Sequence, residues 1–437
     1  MKARIIIIIV KLITAILRMF GRGGSLPGQI ARKLDKNILS KITYPKNVIL
    51  VSGTNGKTTT TNMVYALMRK KYNRVICNNR GDNLLVGITT LILTNTSMSK
   101  KVNADCIVIE VDELNVVHVM KYVPVTTVLI NNFFRDQLDR AGEMENVVHR
   151  VEVALKNYQG TLVLNGDDPN VVRLADVATK ANVYYFGVDE NEMSTKVSSE
   201  ASEGKYCFRC NAELKYDYYQ YSHIGRFSCP KCSFGHHPFY LRAQDVNVAK
   251  QSFVVDKVKF HTPQDALYAI YNCVGVVALA KLENIDLTLA CDVIKTFELN
   301  DGRMEHFDIG KDCLLNLVKN PTGANEVMKY IMRDQEAKDI VIVLNDNEQD
   351  GIDISWIWDA HFELLLKDTT KSIICSGLRA YDMALRLHYE NYQGNLIVLE
   401  DVEEAIKKLK EFEHHAYVIA TYTALQPVRN ILRRNAS

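Results

Sequence analysis

Residues 49–63, ILVSGTNGKTTTTNM, hold the densest chemistry in the sequence. Gly53 and Gly56 let backbone N–H groups approach a phosphate where a helix begins. Lys57 adds a point charge, and the Thr58 hydroxyl is placed for Mg²⁺. The ordinary phosphate loop, G-x-x-x-x-G-K-S/T, needs a glycine at position 51, and Val51 stands there. The loop is a shortened one, with Gly53, Thr54, Asn55, Gly56, Lys57, Thr58 and Thr59 as its candidate ATP-binding residues. A glycine turn with a surface lysine is the plain alternative; a strand before and a helix after favour the phosphate site.

A second cluster is Cys207, Cys210, Cys229 and Cys232, spaced C-x2-C-x18-C-x2-C. Two such knuckles suit tetrahedral Zn²⁺ with thiolates about 2.3 Å from the metal. Four thiolates leave no open position, so the zinc would be structural. Two disulfides are the alternative. Cys77, Cys106, Cys273, Cys291, Cys313 and Cys375 lie isolated in apolar or helical contexts, which points to a reducing compartment. Between the knuckles stand five tyrosines or phenylalanines but only Lys215 and Arg226 as firm cations. That favours a folded insertion bracing the ATP domain or a partner over a nucleic-acid reader. A third cluster, Asp346, Asp350, Asp353 and Asp359, crowds a loop after an apolar strand, where α/β folds place function. A solvated acidic turn would look the same.

The elements that must position these groups read as α/β. VILVSG (48–53), CIVIEVDE (106–113), TTVLINN (126–132), TLVLNGDDP (161–169) and VYYFG (183–187) are short apolar runs ending in turn residues, as buried parallel strands should be. Helical spacing runs from Thr58 to Lys71. After NDGRMEHF (300–307) a second unit begins, with strands at 340–346, 372–377, 396–401 and 417–422. The expected organisation is an N-terminal helical segment 1–40, an ATP-binding domain 41–300 with an insertion at about 203–240, and a C-terminal α/β domain 301–437. The 437 residues exceed one ordinary core, 47% apolar and 24% charged residues suit a globular protein, and a net charge of +2 gives no bulk case for nucleic acid.

The N-terminus, with Lys2 and Arg4 before an isoleucine run, imitates a signal peptide. Lys11 interrupts the run, no small-x-small cleavage site follows, and about 20 unbroken apolar residues for a membrane span are missing. A helix packed on the protein body and a basic apolar helix touching the inner membrane surface both remain open.

The three-residue interval Gly53–Gly56 resembles the G-T-x-G-K-S/T loop of the Mur ligase and folylpolyglutamate synthase superfamily. Those enzymes use ATP to turn a carboxylate into an acyl phosphate that an amine attacks. Further segments fit in order. The resemblance implies that Glu110 meets Mg²⁺ and the γ-phosphate, that Asn272 reads the adenine, and that Arg303 comes to the phosphates from the C-terminal domain. NNFFRDQLDRAGE (131–143) matches the segment supporting the metal site, although the family's D-H-L is Asp136-Gln137-Leu138 here. With the loop at residue 53, no room is expected for a separate UDP-binding domain.

The D-G-x-D-x-S-W string at 350–356, the Cys₄ insertion and SLPGQIARKL (25–34) narrow the resemblance to the MurT family, synthetase subunits of lipid II isoglutaminyl synthase. Members pair with GatD, a glutamine amidotransferase with a Cys–His dyad, and the resemblance implies that Asp353 completes its triad. No cysteine of the chain sits in a G-x-C-x-G nucleophile turn; IICSG around Cys375 comes nearest. The implied fold is a Mur ligase-type central P-loop ATPase domain with a zinc-ribbon insertion, followed by a Rossmann-like α/β domain. The implied activity is cytoplasmic, ATP- and Mg²⁺-dependent amidation of the D-isoglutamate α-carboxylate of lipid II, with Lys57, Glu110 and Asp353 as catalytic residues and possible peripheral contact with the inner membrane face. The rivals are a stand-alone amino-acid ligase of the folylpolyglutamate type and a zinc-ribbon nucleic-acid-binding NTPase.

Overall fold

Strand β1 (Asn47–Ser52) is apolar on both faces and buried from Val48 onward, the signature of a strand covered by helices on each side. A computed structural model describes it together with residues 1–20, 24–78, 82–135, 144–198, 200, 203–298 and 304–435. Parallel to β1 run β3 (Cys106–Glu110) on one side and β4 (Thr127–Ile130) on the other, with β2 (Val75–Cys77) beyond β3. The sheet continues past β4 with β5 (Thr161–Asn165), β6 (Asn182–Val188) and β9 (Leu241–Asn247), all parallel, and closes antiparallel with β10 (Ser252–Val255) and β11 (Val258–His261). Its nine strands stand in the order β11-β10-β9-β6-β5-β4-β1-β3-β2. The direction of winding reverses at β1, and α/β sheets bind ligands beyond the strand ends at such a point.

The helices of this unit are α1 (Lys2–Met19), α2 (Leu26–Leu34), α3 (Lys57–Lys71), α4 (Leu85–Thr94), α5 (Met144–Leu155), α6 (Leu267–Leu282) and α7 (Leu287–Lys295). Helix α6 is apolar nearly all round and buried along most of its length against α3 and β6. Helices α1 and α2 pack on each other and on α4. Gly28 permits this approach: a Cβ there would lie 1.9 Å from the carbonyl oxygen of Val86, and its N–H donates to Thr90 Oγ1 at 2.9 Å. Between β6 and β9 the chain makes the antiparallel hairpin β7 (Lys215–Tyr221) and β8 (Ile224–Ser228), a two-stranded sheet of its own.

The chain divides into two compact units, the second holding Arg135–Glu143 and Glu298–Ser437. It carries β12 (Glu305–Asp308), β13 (Asp312–Leu317), β14 (Lys338–Val343), β15 (Thr370–Ser376), β16 (Asn395–Val398) and β17 (His415–Ala420), ordered β12-β13-β17-β14-β15-β16 and parallel except for β12. Helices α8 (Pro321–Ile331) and α9 (Ala380–Tyr389) contribute to one core, and α10 (Val402–Glu411) and α11 (Tyr422–Asn435) to another, so both faces of the sheet are covered. The strands expected from apolar runs in both units fold as strands. The runs β7 to β13 were not anticipated: most alternate polar and apolar residues and lack a continuous core pattern. The boundary expected near Asn300 lies outside the described residues.

Gly→Ala in an open helix stabilises by about 1 kcal/mol. At Gly28 the added methyl must displace backbone, and overpacking of this kind costs about 1–3 kcal/mol. Gly28→Ala is therefore expected to lower the melting temperature of the full chain, measured by circular dichroism; a rise would show that α2 is not seated on α4 this closely.

Candidate active site at the carboxyl end of β1

Gly56 is the N-cap of α3, with a left-handed φ of 80°, and has no side chain with which to cap the helix. The first-turn N–H groups thus face outward, the arrangement that receives an anion at a helix N-terminus. A Cβ on Gly56 would lie 2.2 Å from Asn272 Oδ1, so α6 approaches the loop as closely as glycine allows. Thr58 is half-buried and Thr59 is buried.

The loop is fastened to the chain that continues β4. Asn55 N–H donates to Asn132 Oδ1 at 2.9 Å, and Asn132 Nδ2 donates to the Asn55 carbonyl at 3.1 Å. Thr54 N–H donates to the Asn132 carbonyl at 2.9 Å, and Phe134 N–H donates to Thr54 Oγ1 at 3.0 Å. Asn131 Nδ2 donates to Thr60 Oγ1 at 2.9 Å and to Asn272 Oδ1 at 3.4 Å, bringing Asn272 to the loop.

Lys57 is buried, and its ammonium donates to the carbonyls of Gly53 and Thr54 and to Glu113 Oε2 at 2.9 Å. Glu113 is a partner that sequence reasoning missed; its signal was a further carboxylate, next to Asp112 and three residues after Glu110, at the end of the same apolar run. Glu110 pairs in register with Val51, two residues before Gly53, and is 2% exposed. Its Oε1 accepts from Asn83 Nδ2 at 3.1 Å, while its Oε2 has no hydrogen-bond partner among the described residues. A buried, unpartnered carboxylate oxygen beside a phosphate loop fits a divalent cation, with Thr58 supplying a hydroxyl. Arg303 and Asp136-Gln137-Leu138 lie outside the described residues.

The four thiols of the insertion come together. Sγ–Sγ distances are 3.6 Å for Cys207–Cys232, 3.5 Å for Cys210–Cys229 and 3.9 Å for Cys210–Cys232, and all four lie within 4.8 Å of one another. A tetrahedron with 2.3 Å arms has edges of about 3.8 Å, so the donor set suits zinc, and these spacings are far from the roughly 2.05 Å of a disulfide. The ribbon reaches the phosphate loop through its hairpin. His223, at the β7–β8 turn, is fully buried, packs on Phe134 with ring centroids 4.9 Å apart, and stands 3.3 Å from Asp168 Oδ1. Asp168 Oδ2 accepts from Phe133 N–H at 2.8 Å. The aromatics Tyr218, Tyr221 and Phe227 are buried against the body and are not offered for base stacking.

In the second unit the acidic loop separates into roles. Asp346 accepts from Arg379 Nε at 2.7 Å, and Asp350, buried, accepts from Thr423 N–H at 2.7 Å. Asp353 is only partly covered; the backbone N–H and hydroxyl of Ser355 hold its carboxyl below the usual carboxylate range. Its neighbour Ile352 is exposed, as are Trp358, Leu378, Tyr381, Leu385 and Tyr389 elsewhere in this unit, with Trp358 and Tyr389 edge-on at 5.7 Å. Burial pushes the Cys106, Cys313 and Cys375 thiols up to about 12 and raises those of Cys77, Cys273 and Cys291. None of these six is an activated nucleophile.

The family model for the Mur ligase middle domain matches residues 51–230, and that for the MurT ligase C-terminal domain matches residues 317–425. The chain is 32% identical to the MurT subunit of the glutamine-hydrolysing lipid II isoglutaminyl synthase of Streptococcus pneumoniae, over 95% of this chain and 94% of that protein. It is 34% identical to the subunit of the same name from Staphylococcus aureus strain COL, with the same coverage. Its fold matches a pseudomurein peptide ligase type C from Methanothermus fervidus with a TM-score of 0.70 at 21% identity, covering 91% of this chain and 80% of that one.

Two outcomes are expected. The purified chain should carry about one zinc, and Cys229→Ser with Cys232→Ser should release it and lower the melting temperature; metal analysis giving no zinc would reject the site. Burial opposes charge on His223, but Asp168 outweighs it and raises the imidazole above its ordinary value. Its contribution is then full below about pH 6.5 and lost as pH rises through the folded-state value. Thermal melts should show stability falling across that window, and His223→Asn should flatten the fall; an unchanged slope would mean the pair does not titrate.

Proposed function

The chain belongs to the MurT family of Mur ligase-fold, ATP-dependent ligases, and from that premise we propose that it is the synthetase subunit of a two-component enzyme that amidates the D-isoglutamate α-carboxylate of lipid II. ATP lies on residues 53–59, with the γ-phosphate at the α3 N-terminus and beside Lys57. Thr58 and Glu110 hold Mg²⁺, which would supply charge neutralisation on the phosphates. Asn272 and Arg303 complete the ATP site. The four cysteines hold structural zinc.

The acceptor carboxylate attacks the γ-phosphorus, ADP leaves, and an acyl phosphate forms. Ammonia then attacks the acyl carbon, phosphate departs, and the amine loses a proton to leave the amide. The α3 N-terminus and Lys57 stabilise charge on the transferring group, the largest demand in phosphoryl transfer. Ammonia comes from a GatD-type amidotransferase. Asp353 orients the histidine of that partner's Cys–His dyad, as the third member of a triad does. The complex works in the cytoplasm, in peripheral contact with the inner membrane face where a lipid-linked acceptor resides. No nucleic acid takes part.

The observation that carries this reading is the part-exposed Asp353, next to exposed Ile352 and in a unit that also exposes Trp358, Tyr381 and Tyr389, in a chain whose cysteines outside the ribbon are unactivated. An acid in a unit with exposed apolar side chains fits a partner that supplies the missing nucleophile.

The test is amidation of lipid II by the chain copurified with its amidotransferase. Lys57→Ala should lower turnover at least about 100-fold with either glutamine or ammonium as nitrogen source. Asp353→Asn should abolish glutamine-driven amidation while an ammonium salt restores it. If Asp353→Asn lost both equally, the triad role would be wrong; if amino acids replaced ammonia as the attacking amine without any partner, the stand-alone ligase reading would win.

A further inference from the structure

Helix α1 has two apolar faces. Ile6, Ile7 and Val10 are buried in the packing against α2 and α4. On the opposite side Met1, Ile5, Ile8, Leu12, Ile16 and Met19 recur at helical spacing, each close to half exposed or more. Water-exposed apolar residues are ordinary when scattered, but a continuous stripe along one helix marks a binding surface. The 18 residues of the helix make this stripe about 27 Å long. No described helix is long and apolar enough to cross a membrane.

The charges identify the occupant. Arg4, Lys11 and Arg18 stand seven residues apart, all exposed, in a row along one flank of the stripe, and exposed Lys2 stands on the other flank. Helix α1 carries no aspartate or glutamate. At 100° per residue the stripe occupies an arc of about 80°, and the basic row lies next to it, between the stripe and the buried face. A protein partner would meet such a row with patterned acids at particular points. An anionic bilayer meets a whole row at once, with apolar side chains at the acyl boundary and long cationic stems reaching the headgroups.

We propose that α1 is a monotopic membrane-docking helix, lying in the plane of an anionic lipid surface with Ile5, Ile8, Leu12, Ile16 and Met19 inserted and Arg4, Lys11 and Arg18 at the headgroups. It holds the phosphate-loop unit at the bilayer through its packing on α2 and α4. The reading above supplies only the expectation that a membrane is near; the face and the lipid class come from α1 itself.

The full chain is sedimented with vesicles of phosphatidylcholine, with and without phosphatidylglycerol, and no lipid-linked peptide is present. Binding should be at least about 10-fold stronger with the anionic lipid and should weaken with salt. Ile8→Asp with Leu12→Asp should remove it while melting temperature and amidation of a detergent-solubilised acceptor stay as in the parent. Lys11→Glu with Arg18→Glu should weaken it by about 20-fold or more, each cation near an anionic surface contributing about fivefold. Failure of the parent chain to sediment overturns the proposal, as does equal binding by the aspartate variant. So does a dimer, seen by sedimentation velocity, that the aspartate variant dissociates, since the stripe would then belong to a second copy. Vesicle binding and amidation can fail separately, which keeps this inference distinct from the ligase reading.

Discussion

The phosphate loop depends on the side chain of Asn132. Ordering each backbone residue of the loop between Gly53 and Gly56 costs about 1–2 kcal/mol. Asn132 grips the Asn55 backbone on both sides of its Cα, accepting from its N–H and donating to its carbonyl. Together with the Thr54–Asn132 and Thr54–Phe134 bonds, this turns the extension of β4 into a wall for the loop. Each bond contributes only about 1 kcal/mol net, but they act on neighbouring residues and fix one conformation. Lys57 can then be buried, because Glu113 and two loop carbonyls receive its ammonium. A buried cation without these partners would cost several kcal/mol.

The same wall explains the insertion. A Cys₄ ribbon could stand as an independent module, yet its core includes Val172 from the turn after β5, and its hairpin buries His223 against Phe134. Asp168 ties the two together, facing His223 with one oxygen and accepting from Phe133 with the other. The path from ribbon to nucleotide loop is thus His223, Asp168, Phe133, Phe134 and Thr54, each in contact with the next or adjacent in the chain. The metal would steady the hairpin, the hairpin the β4 extension, and the extension the loop. That burial also accounts for the tyrosine-rich composition of the insertion: the rings fill a core.

How much of this was legible in the sequence follows from the range of each interaction. β1, β3 and β4 announce themselves as apolar runs, and the Gly-Lys-Thr punctuation marks strand, turn and helix within fifteen residues. The cysteine spacing is equally local. Asn132, Glu113, Asp168 and His223 are ordinary polar residues whose meaning comes from register and from contacts far away along the chain, such as the one 77 residues away between Asn55 and Asn132. The polar strands of the hairpin carry no core pattern because their buried side is made of tyrosines, which composition alone reads as surface. In the acidic loop, four aspartates look equivalent on paper. Only the fold distinguishes Asp346 and Asp350, paired with Arg379 and Thr423, from Asp353.

That distinction bears on why the acid and the thiols are so differently placed. A carboxylate that must support a histidine has to stay ionised, and Ser355 achieves this locally with two hydrogen bonds that favour the charged form. Asp350 fixes the loop's path by anchoring it to the start of α11, so Asp353 can be positioned without being buried. A thiol meant for catalysis would need the reverse of what burial does to Cys375 near the carboxyl end of β15, where the neutral form is favoured. A part-exposed, ionised acid in a chain with buried, neutral thiols is what the proposed two-component reading requires, since water would have to be excluded from Asp353 by a partner's surface for that acid to act at full strength.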